Sequence, residues 1–165
     1  MHTIERLREL FVFNDWANRK LAVAFDENNC ARGLKLLAHL LITEKEYFAR
    51  LGEKDSTGFD FWPDLSLEEC ETMRRENTGR YLEFLSGLDE DELDAKARYR
   101  TSEGTAHENS CREMLTHALF HSMSHRGQAL SAIRADGFDP PRIDYIIYLR
   151  EAAVTWGNGT ENRTA

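Results

Sequence analysis

His117-Ala118-Leu119-Phe120-His121-Ser122-Met123-Ser124-His125-Arg126-Gly127-Gln128 carries three of the chain's six histidines at i, i+4 and i+8. On a helix these form one slowly drifting row, because residues four apart are surface neighbours. Two imidazoles at i, i+4 can close on one metal ion. The outer pair cannot do so alone, since eight residues at ~1.5 Å each separate them by ~12 Å along the axis. The apolar stripe of this segment is Leu115, Ala118, Leu119, Ala129, Leu130 and Ile133. At roughly 100° per residue, His125 lies about 80° from its centre, His121 about 120° and His117 about 160°. The spacing therefore selects His121 and His125 as the metal-binding pair and turns His117 towards water. A row of this kind also arises by chance, so spacing alone leaves both readings open.

A zinc-type site needs three protein ligands with an open position for catalysis, or four for structure. A third ligand must come from elsewhere. His39 sits in an apolar helical segment, flanked by Leu36 and Ile42. It is a candidate third ligand, and equally a core histidine held by a hydrogen bond. Thr43, one turn on, is a poor ligand whose hydroxyl could at most orient the imidazole. Glu44 lies roughly 140° around a regular helix from His39 and is expected in solvent. His107 is expected to be exposed.

The 165 residues suit one domain. At 41% hydrophobic and 30% charged, the composition reads as globular. A formal charge of −8 argues against nucleic acid as partner, because phosphate binding needs a basic face. No stretch approaches the ~20 apolar residues of a membrane span, so no membrane partner is expected. Met1-His2-Thr3-Ile4-Glu5-Arg6 lacks the apolar run of a signal peptide. Cys30, Cys70 and Cys111 show neither CxxC spacing nor a disulfide framework. They read as buried thiols of a cytoplasmic protein.

Residues 3–26 read as a first helix, with Thr3 as N-cap and Ile4, Leu7, Phe11, Leu21 and Phe25 in period. Asn14 and Asn18 interrupt that stripe. They read as a polar flank, the other reading being two amides facing a cavity between helices. A second helix covers about 31–51. Residues 52–65, with Phe59, Phe61 and Trp62, form an aromatic loop that plugs the core or walls a pocket. A third helix runs from about Ser66 to Gly87. The acidic run Asp89-Glu90-Asp91-Glu92 reads as a solvated face, and 97–104 as a short hairpin or an extended crossover. Asn109 or Ser110 caps the fourth helix, which Gly137 ends. Gly127 within it predicts close approach of another helix. A short helix around Ile143 to Leu149 packs back. The domain is expected to span 1–151, with 152–165 a loose tail. The predicted fold is all-α: a four-helix bundle with a long crossover and a short C-terminal helix.

These residues carry a resemblance. Phe13-Asn14-Asp15-Trp16-Ala17-Asn18 resembles the YNxWAN opening of the DinB family of metal-dependent enzymes, with phenylalanine for tyrosine. Ala38-His39-Leu40 with Glu44, Tyr47 and Arg50 resembles its second-helix pattern. His117-x3-His121-x3-His125-Arg126-Gly127-Gln128 closely resembles its HxxxHxxxHRGQ signature, and Asp144 to Glu151 is similar to its C-terminal ending. The resemblance covers about residues 4–151 and departs at Tyr47, where tryptophan is common. It implies a DinB/YfiT-like bundle, a divalent metal, zinc or nickel, on His39, His121 and His125, and a homodimer. Relatives include enzymes that use low-molecular-weight thiols. The family name does not imply action on DNA.

Two classes of function follow. One is an enzyme that activates a water or a low-molecular-weight thiol towards a small-molecule substrate, a hydrolase or a thiol S-transferase. The other is a non-catalytic metal- or small-ligand-binding protein. A metal position facing a pocket favours the first; closure by Glu44, His107 or another side chain favours the second. Glu44 and His117 both stand as candidate general bases.

Overall fold

Leu7, Phe11, Asn14, Asn18, Leu21 and Phe25 recur at alternating steps of four and three, and all are buried along α1, Thr3–Asn28. This is the spacing of a helix face pressed on other helices. The computed structural model describes residues 3–28 and 30–160. Further helices are α2 (Ala31–Leu51), α3 (Leu67–Ser86), α4 (Cys111–Ala135) and α5 (Tyr145–Thr160). The molecule is mostly helical, with α2 packed most extensively on α4 and α1 on α3.

The helix starts follow local chemistry. Ser110 Oγ accepts the Glu113 N–H at 3.2 Å, and Glu113 returns a carboxylate oxygen to the Ser110 N–H at 2.8 Å. Ser66 and Glu69 make the same reciprocal box at α3. Each box satisfies amides that have no partner inside their helix. At α1, the Ile4 N–H donates to Glu90 Oε1 at 2.9 Å. Part of the acidic run thus caps a distant helix. Leu93, in the 3₁₀ turn Glu90–Asp94, is fully buried. Gly137, at φ +86°, ends α4 as expected.

Two expectations are corrected. The all-α expectation holds for most of the chain but not at β1 (Lys96–Arg100) and β2 (Ala106–Ser110), an antiparallel pair with Arg98 opposite Glu108 that realises the hairpin alternative for 97–104. The alternation of β1 buries Ala97 and Tyr99 against Met114, Tyr47 and Leu51. The backbone also ties this hairpin to the aromatic loop: Ser56 N–H donates to the Arg100 carbonyl and Gly58 N–H to that of Ser102. Gly127 does not mark a close approach within the described chain, since a Cβ there would meet nothing within 4 Å. The close approach is at Gly33, where a Cβ would fall 2.2 Å from the Phe25 ring.

The expected tail begins as helix: α5 runs through 152–160, while 161–165 lie outside the described residues. Its first turns pack on α1, with Phe13 edge-on to Tyr145 and Trp16 against Tyr148. The three cysteines are free and buried, and burial pushes the Cys70 and Cys111 thiols up to about 11. No helix among the described residues is long and apolar enough to cross a membrane.

The core divides. One apolar cluster holds Leu21, Phe25, Leu37, Leu40, Leu41 and Ile133. The other holds Leu7, Phe11, Tyr81, Leu85, Leu93 and Leu115. Between them along the helices lies a buried layer of Asn14, Asn18, Glu44, Asn77, Ser122 and Arg126.

Candidate metal centre

His39 on α2 meets His121 and His125 on α4. Ring centroids are 5.1 Å apart for His39–His121, 4.5 Å for His39–His125 and 4.4 Å for His121–His125. Each ring offers a nitrogen within 4.8 Å of the other two, so the trio could hold one metal ion. The aromatic loop fixes the first ring. His39 Nδ1 lies 2.5 Å from the Phe61 carbonyl, and the Trp62 indole lies flat on the imidazole at 3.8 Å. With Nδ1–H donated to a carbonyl, Nε2 is the nitrogen left to face an ion, the usual arrangement behind a ligating histidine. Thr43 plays no part in that orientation; its hydroxyl donates to the His39 backbone carbonyl at 2.8 Å.

On α4, His121 Nδ1 and His125 Nδ1 are buried with no hydrogen-bond partner. Burial and the neighbouring rings of His125, His39 and His117 hold the His121 imidazole down to about 3. His125 is lowered by burial and by His39, against a Gln128 hydrogen bond that raises it. Both rings are therefore neutral at pH 7 with lone pairs available. Two neutral imidazoles with orphaned buried nitrogens, beside the anchored His39 ring, fit a divalent transition metal. His117 stays exposed, its ring 5.7 Å from His121 and 4.4 Å from Tyr47, and lies outside the trio. His107 is exposed on β2 and also stands apart.

A cavity of about 340 Å³ opens on this cluster. His39, Thr43, Tyr47 and Arg50 line it from α2, and His117 and His121 from α4. The hairpin turn from Thr101 to Thr105, with His107, forms the opposite wall. Phe61 closes one side, so the aromatic loop does wall a pocket.

The sequence profile of the DinB family matches residues 24–163. The chain belongs to the DinB family. The match takes in α2, the histidine row and the C-terminal helix but leaves the Phe13 to Asn18 motif outside it. Neither the curated proteins nor the solved structures compared with this DinB-family chain gave a match.

What the sequence reading missed lies directly behind the histidines. Asn14 and Asn18 are not a polar flank, and Glu44 is not in solvent: they are 3%, 1% and 4% exposed. Glu44 Oε1 accepts from Asn14 Nδ2 at 2.7 Å, Ser122 Oγ at 2.7 Å and Asn18 Nδ2 at 3.2 Å. Oε2 accepts from Asn77 Nδ2 at 3.4 Å. Each α1 amide turns its oxygen to Arg126 Nη1, at 3.0 Å for Asn18 and closely for Asn14. The two asparagines thus bridge a buried carboxylate and a buried guanidinium that do not touch. Burial raises the Glu44 carboxyl against its hydrogen bonds, and lowers Arg126 to about 10 against the pull of Glu44. Glu44 follows His39 by five residues, while Ser122 and Arg126 each follow a histidine of the trio, so this layer pins α2 and α4 in register beside the cluster.

A pH dependence follows for the metal-free chain. His121 takes its proton only near pH 3 when folded and near 6.5 when exposed. Between these values the unfolded chain binds more protons. Stability from the neutral ring is complete above about 6.5 and is lost as pH falls towards 3. The melting temperature of the metal-free protein is expected to fall between pH 6.5 and 4, less steeply in His121→Asn. Parallel curves for the two proteins would show that the ring titrates normally.

Proposed function

We propose that this chain is a metal-dependent enzyme in which His39, His121 and His125 hold a divalent ion, zinc or nickel, and which acts on a small molecule as a hydrolase or thiol S-transferase. The observation that carries the reading is the open side of the trio. Two of its imidazoles, His39 and His121, line a cavity, and neither residue expected to close the sphere joins the trio: Glu44 is engaged by four neighbouring side chains and His107 is exposed on β2. An ion bound by neutral ligands keeps its full charge and lowers the pKa of a water or thiol at its open position. The chain's own contribution is to keep the His121 and His125 rings neutral by burial, to fix His39 through Phe61 and Trp62, and to hold the two ligand helices in register through Glu44 and Arg126. His117, beside Tyr47 on the cavity wall, is the better-placed general base, because Glu44 spends its carboxylate on the buried layer. The four long helices form a four-helix bundle in this reading, and the protein acts as a cytoplasmic homodimer without nucleic-acid or membrane partners.

Metal analysis followed by a screen of electrophiles with and without small thiols tests the activity. Calorimetry tests the site. An ion that binds only the folded chain at a hundredfold excess over its Kd stabilises it by about 2.7 kcal/mol, which raises the melting temperature by roughly 5–11 °C at this size. The metal-free protein is expected to fold, since its core is apolar and extensive. Equal melting temperatures would remove the site; an unfolded metal-free protein would make it structural and favour the non-catalytic reading.

A further inference from the structure

The cavity has two chemically distinct ends. The three histidines form one; Arg50 lies towards the other. His39, Thr43, Tyr47 and Arg50 follow one stripe of α2, with Arg50 three turns, ~16 Å, beyond His39 along the axis. The Arg50 side chain leans back over Tyr47, at 4.5 Å, towards the histidines.

Arg50 is only 4% exposed, yet no carboxylate hydrogen-bonds it. Nε donates to Ser56 Oγ at 2.8 Å, outside the cavity wall. Glu46, itself buried one turn back, forms an ion pair with Arg50 at 3.8 Å from Nε, too long for a hydrogen bond. The other polar neighbour is the Tyr47 hydroxyl. Tyr47 and Tyr99, at 4.5 and 4.7 Å, hold the guanidinium on their ring faces, and Phe61 stands at 5.8 Å. Aromatic faces steady the charge but use none of its N–H groups. A guanidinium held this rigidly, with unused donors beside a cavity, suits a bidentate carboxylate. Thr101, Ser102 and Thr105 add hydroxyl donors on the facing turn, where Glu103 is exposed.

Resting on the three-histidine reading above, we propose that this cavity selects a small organic acid, its carboxylate held by Arg50 and its reacting end at His39, His121 and His125. The ligand spans on the order of 10 Å between those two ends.

Glutathione and its diethyl ester test this. They share a thiol and a length and differ in whether the carboxylates are charged. Each is titrated into cobalt-loaded protein and followed by the thiolate-to-cobalt absorption band, which reads binding without turnover. Glutathione is expected to bind about ten- to a hundredfold more tightly than the ester. The net charge of −8 would favour the more positive ester, so a general field effect has the opposite sign. In Arg50→Gln the preference should fall to near unity, and Arg50→Lys should keep part of it. Equal binding by the wild-type protein, or tighter binding of the ester, would overturn the proposal while leaving the thiol reading intact. A band with neither compound would remove both. Should Arg50→Gln fail to fold by circular dichroism, the wild-type comparison still decides.

Discussion

Replacing His39, His121 or His125 by Ala is expected to weaken metal binding by more than the ~10–100-fold typical of losing an outer-shell partner, because each change removes a ligand itself. His117→Ala should leave affinity within a few-fold of wild type, since that ring stands apart from the trio. Competition with a chromogenic chelator measures all four proteins on one scale. The contrast between neighbours four residues apart makes the result informative, because both substitutions remove an imidazole from the same helix. Loss of metal in His117→Ala with retention in His125→Ala would place the ion on His117 and His121 instead.

The second large effect is in the layer behind the site. Glu44→Leu strands Arg126, a guanidinium that does not give up its proton near neutral pH, among buried amides. Removing one member of a buried charge pair costs about 3–5 kcal/mol, a fall of roughly 6–20 °C in melting temperature for a chain of this size. Arg126→Leu should cost less. Burial already raises the Glu44 carboxyl, so it can accept a proton and become neutral. The double variant should lose less than the two single variants together, because the charges are coupled through Asn14 and Asn18. Urea denaturation of the three proteins measures this. A cost below about 1 kcal/mol for Glu44→Leu would show the layer to be well hydrated.

Much of the helical framework could be read from the chain. Ser66 and Ser110 announce α3 and α4 because a serine followed three residues later by glutamate satisfies the amides that a helix start leaves open. The histidine row and His39 were legible for a related reason: four-residue spacing fixes which side chains share a face, and an apolar setting shows which face is turned inward. The polar layer carried a signal of the same kind, which was overridden. Asn14 and Asn18 occupy steps of the stripe that joins Phe11 to Leu21, and Glu44 is one helical turn beyond Leu40 and Leu41. Residue type argued for solvent, while position argued for burial. Position won because four partners on three other helices satisfy Glu44 at once. The hairpin was harder to read. Its strands are five residues long, and β2 is mostly exposed, so only Ala97 and Tyr99 show an alternation. Phe61 and Trp62 lie outside any helix or strand, where no period predicts which atom will face His39.

The separation of the three rings along the chain has a consequence during synthesis. His39 leaves the ribosome roughly eighty residues before His121, a delay on the order of 4–16 s at ~5–20 residues per second. Through that interval only one of the three rings is present on the unfinished chain. An ion that needs all three rings would be held only once α4 has emerged and docked on α2. A nascent chain interrupted before Ser110 would then be empty at this centre, and occupancy would distinguish finished molecules from truncated ones.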